Sequence, residues 1–146
     1  MRLWHKDLIS VLPDKQLLGQ WRECCAIAKD VYVKGSPNHI LVNKIHDYPL
    51  SHFWSYGIQV AVEMYNRGFK VDVEKFNKYF PFGGYNSVLS NIFDGWHDNR
   101  YLTQCYYNLQ EKYDCEGISI EEWVKISKKY NELKSIPKMV VCNERF

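Results

Sequence analysis

Four groups near the start of the chain can share a reaction between them: the α-amine of Met1, the guanidiniums of Arg2 and Arg22, and the carboxylate of Glu23. An α-amino group has an unperturbed pKa of roughly 7.7–8.0 against about 10.4 for lysine, so it is substantially neutral, and nucleophilic, near pH 7. Amines in that state form Schiff bases with carbonyl carbons. The planar donor fork of arginine matches phosphate oxygens, and a carboxylate can move protons. The plainer reading of Trp21-Arg22-Glu23 is a helix turn carrying a surface ion pair.

The elements around these residues decide whether they meet. Residues 1–12 read as an extended arm ending at Leu12-Pro13. Pro13 is a suitable first helical position and Asp14 adds negative charge where the helix dipole favours it. From there Leu17, Trp21, Cys24/Cys25, Ala28 and Val31/Tyr32 recur at helical spacing until Gly35. Glu23 lies about 200° round the helix from Trp21. It shares a face with Gln16, Gly19, Gln20, Ala26, Ile27 and Asp30, away from the apolar stripe. Gly19 and Ala26 leave room beside the carboxylate. Pro13 to Glu23 spans about 15 Å of helix, whereas twelve extended residues reach roughly 40 Å. The amine can therefore fold back beside Glu23.

The rest of the chain reads as helix and loop. Residues 35–48 form a loop and a second helix runs from Pro49 to Arg67, with Phe53, Tyr56/Gly57, Val60 and Met64 buried. Asp72 caps a short helix through about Phe80, and Pro81-Phe82-Gly83-Gly84 breaks the chain. A further helix covers about Asp98 to Tyr113. Ser119-Ile120-Glu121-Glu122 is a capping box opening a last helix through about Leu133. No alternating strand pattern or repeat stands out. The expectation is an all-α single domain, residues 1–146, with the N-terminal arm folded back along the first long helix.

Composition narrows the function classes. An aromatic content of 16% supplies a core, and no apolar run reaches membrane-span length. Cytoplasm is the expected compartment. Cys24, Cys25, Cys105, Cys115 and Cys142 form no C-x-x-C, and the five histidines show no H-x-x-x-H spacing, which argues against a disulfide framework and a metal site. Buried packing is the expectation for Cys24/Cys25, although a thiol nucleophile working with His39 is the sharper alternative. Net charge is +2, but residues 1–70 carry nine Lys+Arg against six Asp+Glu, while residues 71–146 carry ten against eleven. The small basic excess falls on the half that holds Arg2 and Arg22, as a phosphate-facing surface would require.

Three stretches taken together resemble one family. Leu17-Leu18-Gly19-Gln20-Trp21-Arg22-Glu23 is similar to the first-helix motif L-x-x-x-[YW]-R-E of the pyrimidine-dimer DNA glycosylases. Met64-Tyr65-Asn66-Arg67-Gly68-Phe69 resembles that family's helix ending in R-G-[FY], and Pro37-Asn38-His39 resembles a loop of its bacterial members. The resemblance covers roughly residues 1–72. It implies a DNA-repair glycosylase with abasic-site lyase activity: the N-terminal amine attacks sugar C1′, the base leaves, a Schiff base forms, and β-elimination cuts the backbone. Carried over, Met1 is the nucleophile, retained because Arg2 is too large to allow its removal. Glu23 supports proton and charge movement. Arg2, Arg22 and His39 contact DNA, the last with a plain loop hydrogen bond as its alternative. Gln16 and Ala26 stand where the family carries a histidine and an arginine. The resemblance implies no cofactor and no metal, a double-stranded damaged DNA partner, and a monomer. The rivals are a non-catalytic nucleic-acid binder on the same scaffold and a protein-interaction module.

Overall fold

Proline and glycine set most of the element boundaries. In the computed structural model, which describes the backbone of residues 1–144 and the side chains of residues 1–135, α1 spans Asp14–Lys34, α2 Leu50–Asn66, α3 Val73–Asn77, α4 Asn99–Asp114 and α5 Ile120–Glu144. No strand occurs among the described residues. Pro13 and Pro49 sit at the capping positions just outside α1 and α2 rather than inside them. Gly35 closes α1 in the left-handed conformation at φ 81°, which costs glycine little. Asp72 and Asp98 cap α3 and α4 by accepting from the Lys75 and Tyr101 amides. The capping box forms as expected, with the Ser119 amide donating to Glu122 Oε1 and the Glu122 amide donating to Ser119 Oγ.

Several boundaries differ from the sequence expectation. Lys6–Val11 is a 3-10 helix, so only residues 1–5 are irregular arm. Its apolar residues Leu8 and Ile9 are buried, and a tight turn puts both inside while a straight strand would alternate them. Asn43–Asp47, expected as loop, is also 3-10, and it buries Ile45. α3 stops at Asn77, and Lys78–Phe80 turn out of it. α5 runs well past Leu133, to Glu144. Cys142 lies beyond the residues whose side chains are described.

α1 packs on α2, α4 packs on α5, and the 3-10 segment Lys6–Val11 touches both α2 and α5. That segment therefore joins the two helix pairs. The core is one continuous cluster containing every residue expected on the α2 stripe and most of the α1 stripe, with Tyr32 left exposed. α2 meets α3 at Gly57, where a Cβ would lie 2.3 Å from Phe76 Cζ, so only glycine admits the Phe76 ring.

Arg67, from the R-G-F stretch, ties the end of α2 to the close of the 3-10 segment and the start of α1. Its Nε donates to Glu63 at 2.8 Å, and Nη1 donates to the Leu12 carbonyl at 2.7 Å and Asp14 at 2.9 Å. Nη2 donates to the Ser10 carbonyl at 3.1 Å. A planar fork of fixed donors suits this arrangement of acceptors, and an ammonium does not reproduce it. Arg67→Ala leaves several of these acceptors without partners in a partly buried site. The expected loss is about 2–4 kcal/mol of unfolding free energy, with Arg67→Lys recovering only a minor part, as measured by urea denaturation.

Candidate active site

The N-terminal arm lies against α1 at Gln20, one turn before Glu23. Gln20, expected on an open polar face, is 1% exposed. Its side chain is matched to the arm backbone: the Trp4 amide donates to Gln20 Oε1 at 2.7 Å, and Gln20 Nε2 donates to the Arg2 carbonyl at 3.0 Å. The Tyr56 hydroxyl, from α2, donates to the Trp4 carbonyl at 2.6 Å and lies 2.9 Å from Gln20 Oε1. On the other side the Tyr101 hydroxyl, from α4, donates to the Leu3 carbonyl at 2.5 Å. Carbonyls of Arg2, Leu3 and Trp4 are thus held by three different helices, with the Arg2 carbonyl on Gln20, one helical turn before Glu23. Ile27 on the same face is also buried, at 1%.

The predicted residues fall into two groups. Met1 is half exposed, at 49%. The Arg2 guanidinium lies 5.5 Å from the centroid of the Trp4 ring and beside Tyr101 and Cys105. Glu23 is partly buried, and Arg22 is exposed, with its Nη2 the nearest group to the space a Cβ on Gly19 would fill, at 3.8 Å. Gly19 therefore opens space into which Arg22 reaches. Burial, and to a lesser extent Cys24, Tyr101, Cys105 and Glu23, hold the Tyr56 phenol well above its usual pKa, so it stays a hydrogen-bond donor. Burial also raises the Tyr101 phenol. His39 stands apart from this group in its hydrogen bonding. Its Nδ1 accepts from the Leu41 amide at 3.3 Å, and its own amide donates to Asn43. Those are the loop bonds of the plainer reading. The Cys24 thiol is fully buried, and burial pushes its pKa well up, which is the opposite of what a thiol nucleophile needs. The Cys25 thiol is raised by burial as well.

Five residues, Tyr101 among them, were not read from the sequence as anchors of the arm. Gln20 and Tyr56 were visible only as a polar-face residue and a core aromatic. His5 and His97 form a buried pair beneath the arm. The Asp7 amide donates to His5 Nδ1 at 3.1 Å, which leaves the proton on Nε2, and His5 Nε2 donates to the His97 carbonyl at 2.9 Å. The Lys6 amide donates to His97 Nδ1 at 2.9 Å, so His97 also carries its proton on Nε2. Burial lowers the pKa of both rings, strongly for His97, where His5 and Lys6 add to the effect. Near-neutral pH therefore finds both uncharged, each accepting a backbone amide from the start of the 3-10 segment that follows the arm.

Two outcomes follow from this anchoring. Gln20→Leu strands the Trp4 amide and the Arg2 carbonyl, and is expected to cost about 1–3 kcal/mol for each unpaired group that stays buried. Native-state exchange of the Trp4 amide should accelerate before that of α2. The folded pKa of His97 lies below its unfolded value near 6.5, so the unfolded chain takes up the proton first. Stability is full above about pH 6.5 and falls as pH drops below it, by up to about 1.4 kcal/mol per pH unit for one such group. Calorimetry between pH 7 and pH 5 measures this. His97→Phe should flatten the decline.

The arm, α1, the His39 loop and α2 are also where similarity to known proteins is found. The family model described as pyrimidine dimer DNA glycosylase matches residues 1–77, just over half of the chain. No curated protein and no solved structure matches it. Among the described residues, no helix is long and apolar enough to cross a membrane. With an arm that returns to the W-R-E helix and the family match running through all of these elements, the chain belongs to the pyrimidine dimer DNA glycosylase family.

Proposed function

We propose that the chain is a DNA glycosylase with abasic-site lyase activity, using the Met1 α-amine as nucleophile and Glu23 as the proton- and charge-handling group. The observation that carries the reading is the Gln20 side chain. It binds the Arg2 carbonyl and the Trp4 amide one turn before Glu23 on the same helix, which supports a Met1 amine, one residue ahead of that anchor, working with the Glu23 carboxylate.

In the proposed reaction the amine lone pair forms a bond to sugar C1′ as the glycosidic bond breaks, with that electron pair leaving on the protonated base. The amine loses a proton, and opening of the sugar ring gives an iminium at C1′. The iminium acidifies the C2′ protons. Removal of one expels the 3′ phosphate by β-elimination. Glu23 stabilises the cationic iminium and shuttles protons. Arg2 and Arg22 hold flanking phosphates bidentately. The protein's own amine supplies the electrophile-trapping chemistry, so the scheme calls for neither a metal nor an organic cofactor.

Borohydride added during reaction with abasic-site duplex should yield a covalent protein–DNA adduct whose link maps to Met1. Acetylating the N-terminus should abolish trapping while DNA binding survives. A link on a lysine moves the nucleophile; no adduct from a native N-terminus favours a non-catalytic DNA binder. Glu23→Gln should suppress strand cleavage at least about 10²-fold with melting temperature nearly unchanged. Arg2→Ala and Arg22→Ala should each weaken duplex binding and reduce the log–log salt slope by about 0.9 per lost phosphate contact. An unchanged slope in both assigns them to the fold.

A further inference from the structure

The loop that carries His39 presents two apolar side chains to solvent. Ile40 is 85% exposed and Leu41 46%, while Val42 and Ile45 from the same segment are buried. The loop is held rather than loose. Asn43 Oδ1 accepts from the His39 amide at 3.2 Å, the His39 carbonyl accepts from the Val42 and Asn43 amides at 2.9 and 2.8 Å, and His39 Nδ1 accepts from Leu41. The Asn38 amide donates to Ser36 Oγ at 3.2 Å, with Asn38 in the left-handed region at φ 55°. A well-bonded turn thus fixes an isoleucine pointing away from the protein.

Its surroundings indicate what it meets. Ile40 and Leu41 form one wall of a cleft of about 270 Å³ whose other wall includes Trp96 and Tyr101, with Lys44 and Arg100 contributing cationic side chains. Asp98 also borders the cleft and adds one negative charge, its carboxylate accepting from the Tyr101 amide at 2.9 Å, so two cations face one carboxylate there. Tyr101 is the residue whose hydroxyl holds the Leu3 carbonyl of the arm, and Arg2 lies beside it. The exposed isoleucine therefore shares a cleft with Tyr101, an anchor of the arm, and with two cations that outnumber the one carboxylate in its lining. An apolar tip between cations suits a DNA duplex, in which the phosphates meet the cations and the tip enters between bases. Side chains used this way partly unstack a base step and bend the duplex.

We propose that Ile40, backed by Leu41, is an apolar wedge that enters the base stack beside the reacting nucleotide, with Lys44 and Arg100 holding the phosphates on either side. The inference rests on the reading of the chain as an enzyme acting on DNA. It supplies what that reaction needs from a duplex, a sugar whose C1′ has been opened to attack by local unstacking.

The test uses the full chain and an abasic-site duplex carrying 2-aminopurine next to the site, with dyes at its ends. The parent protein should raise 2-aminopurine fluorescence and shorten the end-to-end distance. Ile40→Ser, an exposed substitution that leaves melting unchanged, should lose most of both signals at saturating protein. It should slow borohydride trapping on duplex at least severalfold while leaving trapping on a single-stranded abasic oligonucleotide unchanged, since no stack has to be opened there. Ile40→Phe should restore the duplex signals. Lys44→Ala and Arg100→Ala should weaken binding and its salt dependence without removing the fluorescence rise at saturation. Parent-like fluorescence and duplex trapping by Ile40→Ser overturn the wedge while leaving the enzyme reading intact. A parent chain that neither binds nor is trapped by either DNA overturns both. Loss of self-association in Ile40→Ser, with DNA behaviour unchanged, assigns the tip to a protein interface instead.

Discussion

The buried carboxamide of Gln20 is the contact on which the candidate site depends. A carboxamide offers one acceptor and one donor on adjacent atoms, and the arm presents one free amide, at Trp4, and one free carbonyl, at Arg2, in the matching order. The orientation of the amide group follows, because a flip would set donor against donor and acceptor against acceptor. A glutamate would face the Arg2 carbonyl with a second acceptor and would bury a charge. A leucine would leave both backbone groups unpaired. The extended residues 1–5 gain order that they lack the length to generate themselves, because no intrasegment hydrogen bonding is available to so short a stretch.

The remaining anchors surround the same stretch. Tyr56 and Tyr101 donate to carbonyls of Trp4 and Leu3, and the His5–His97 pair accepts amides of Lys6 and Asp7. Burial keeps the phenols protonated and the imidazoles neutral. Each is therefore in the protonation state that its backbone partner requires. Around them Phe93, Trp96 and His97 pack with ring centroids 4.7–4.9 Å apart, which leaves these side chains little freedom to turn. Polar groups enclosed by such packing make strong, geometrically narrow contacts. The path of the chain from Arg2 to Lys6 is settled by side chains from α1, α2, α4 and the turn before α4.

Arg67 extends the same logic to the end of the arm. It lies at the C-terminus of α2, and its guanidinium gathers carbonyls at the close of the 3-10 segment together with Asp14 at the start of α1. Gln20 of the Leu17–Glu23 stretch and Arg67 of the R-G-F stretch thus fix the two ends of one peptide. Trp21, in the first, is buried against Phe76; Gln20, its neighbour, binds the arm's beginning, and Arg67 binds its end.

Periodicity and caps alone determined that the chain is helical, where α1, α2 and α4 begin and end within a residue or two, and the apolar stripe that α1 and α2 each bury, Tyr32 excepted. These properties belong to residues near one another in sequence. The same is true of the reactive inventory: an amine, a carboxylate and two guanidiniums in the first 23 residues. Tertiary structure decided what covers the second face of α1. Helical periodicity identifies apolar residues that seek burial, and it cannot identify a glutamine that is buried because a distant backbone matches its two atoms. His5 and His97 meet across 92 positions and Arg67 reaches Leu12 across 55; neither partner's local sequence contains the other's geometry. The extended reading of Lys6–Val11 gave way for a related reason. Between α2 and α5 there is apolar surface on one side for Leu8 and Ile9 together, and a tight turn is the backbone form that presents neighbouring residues to it.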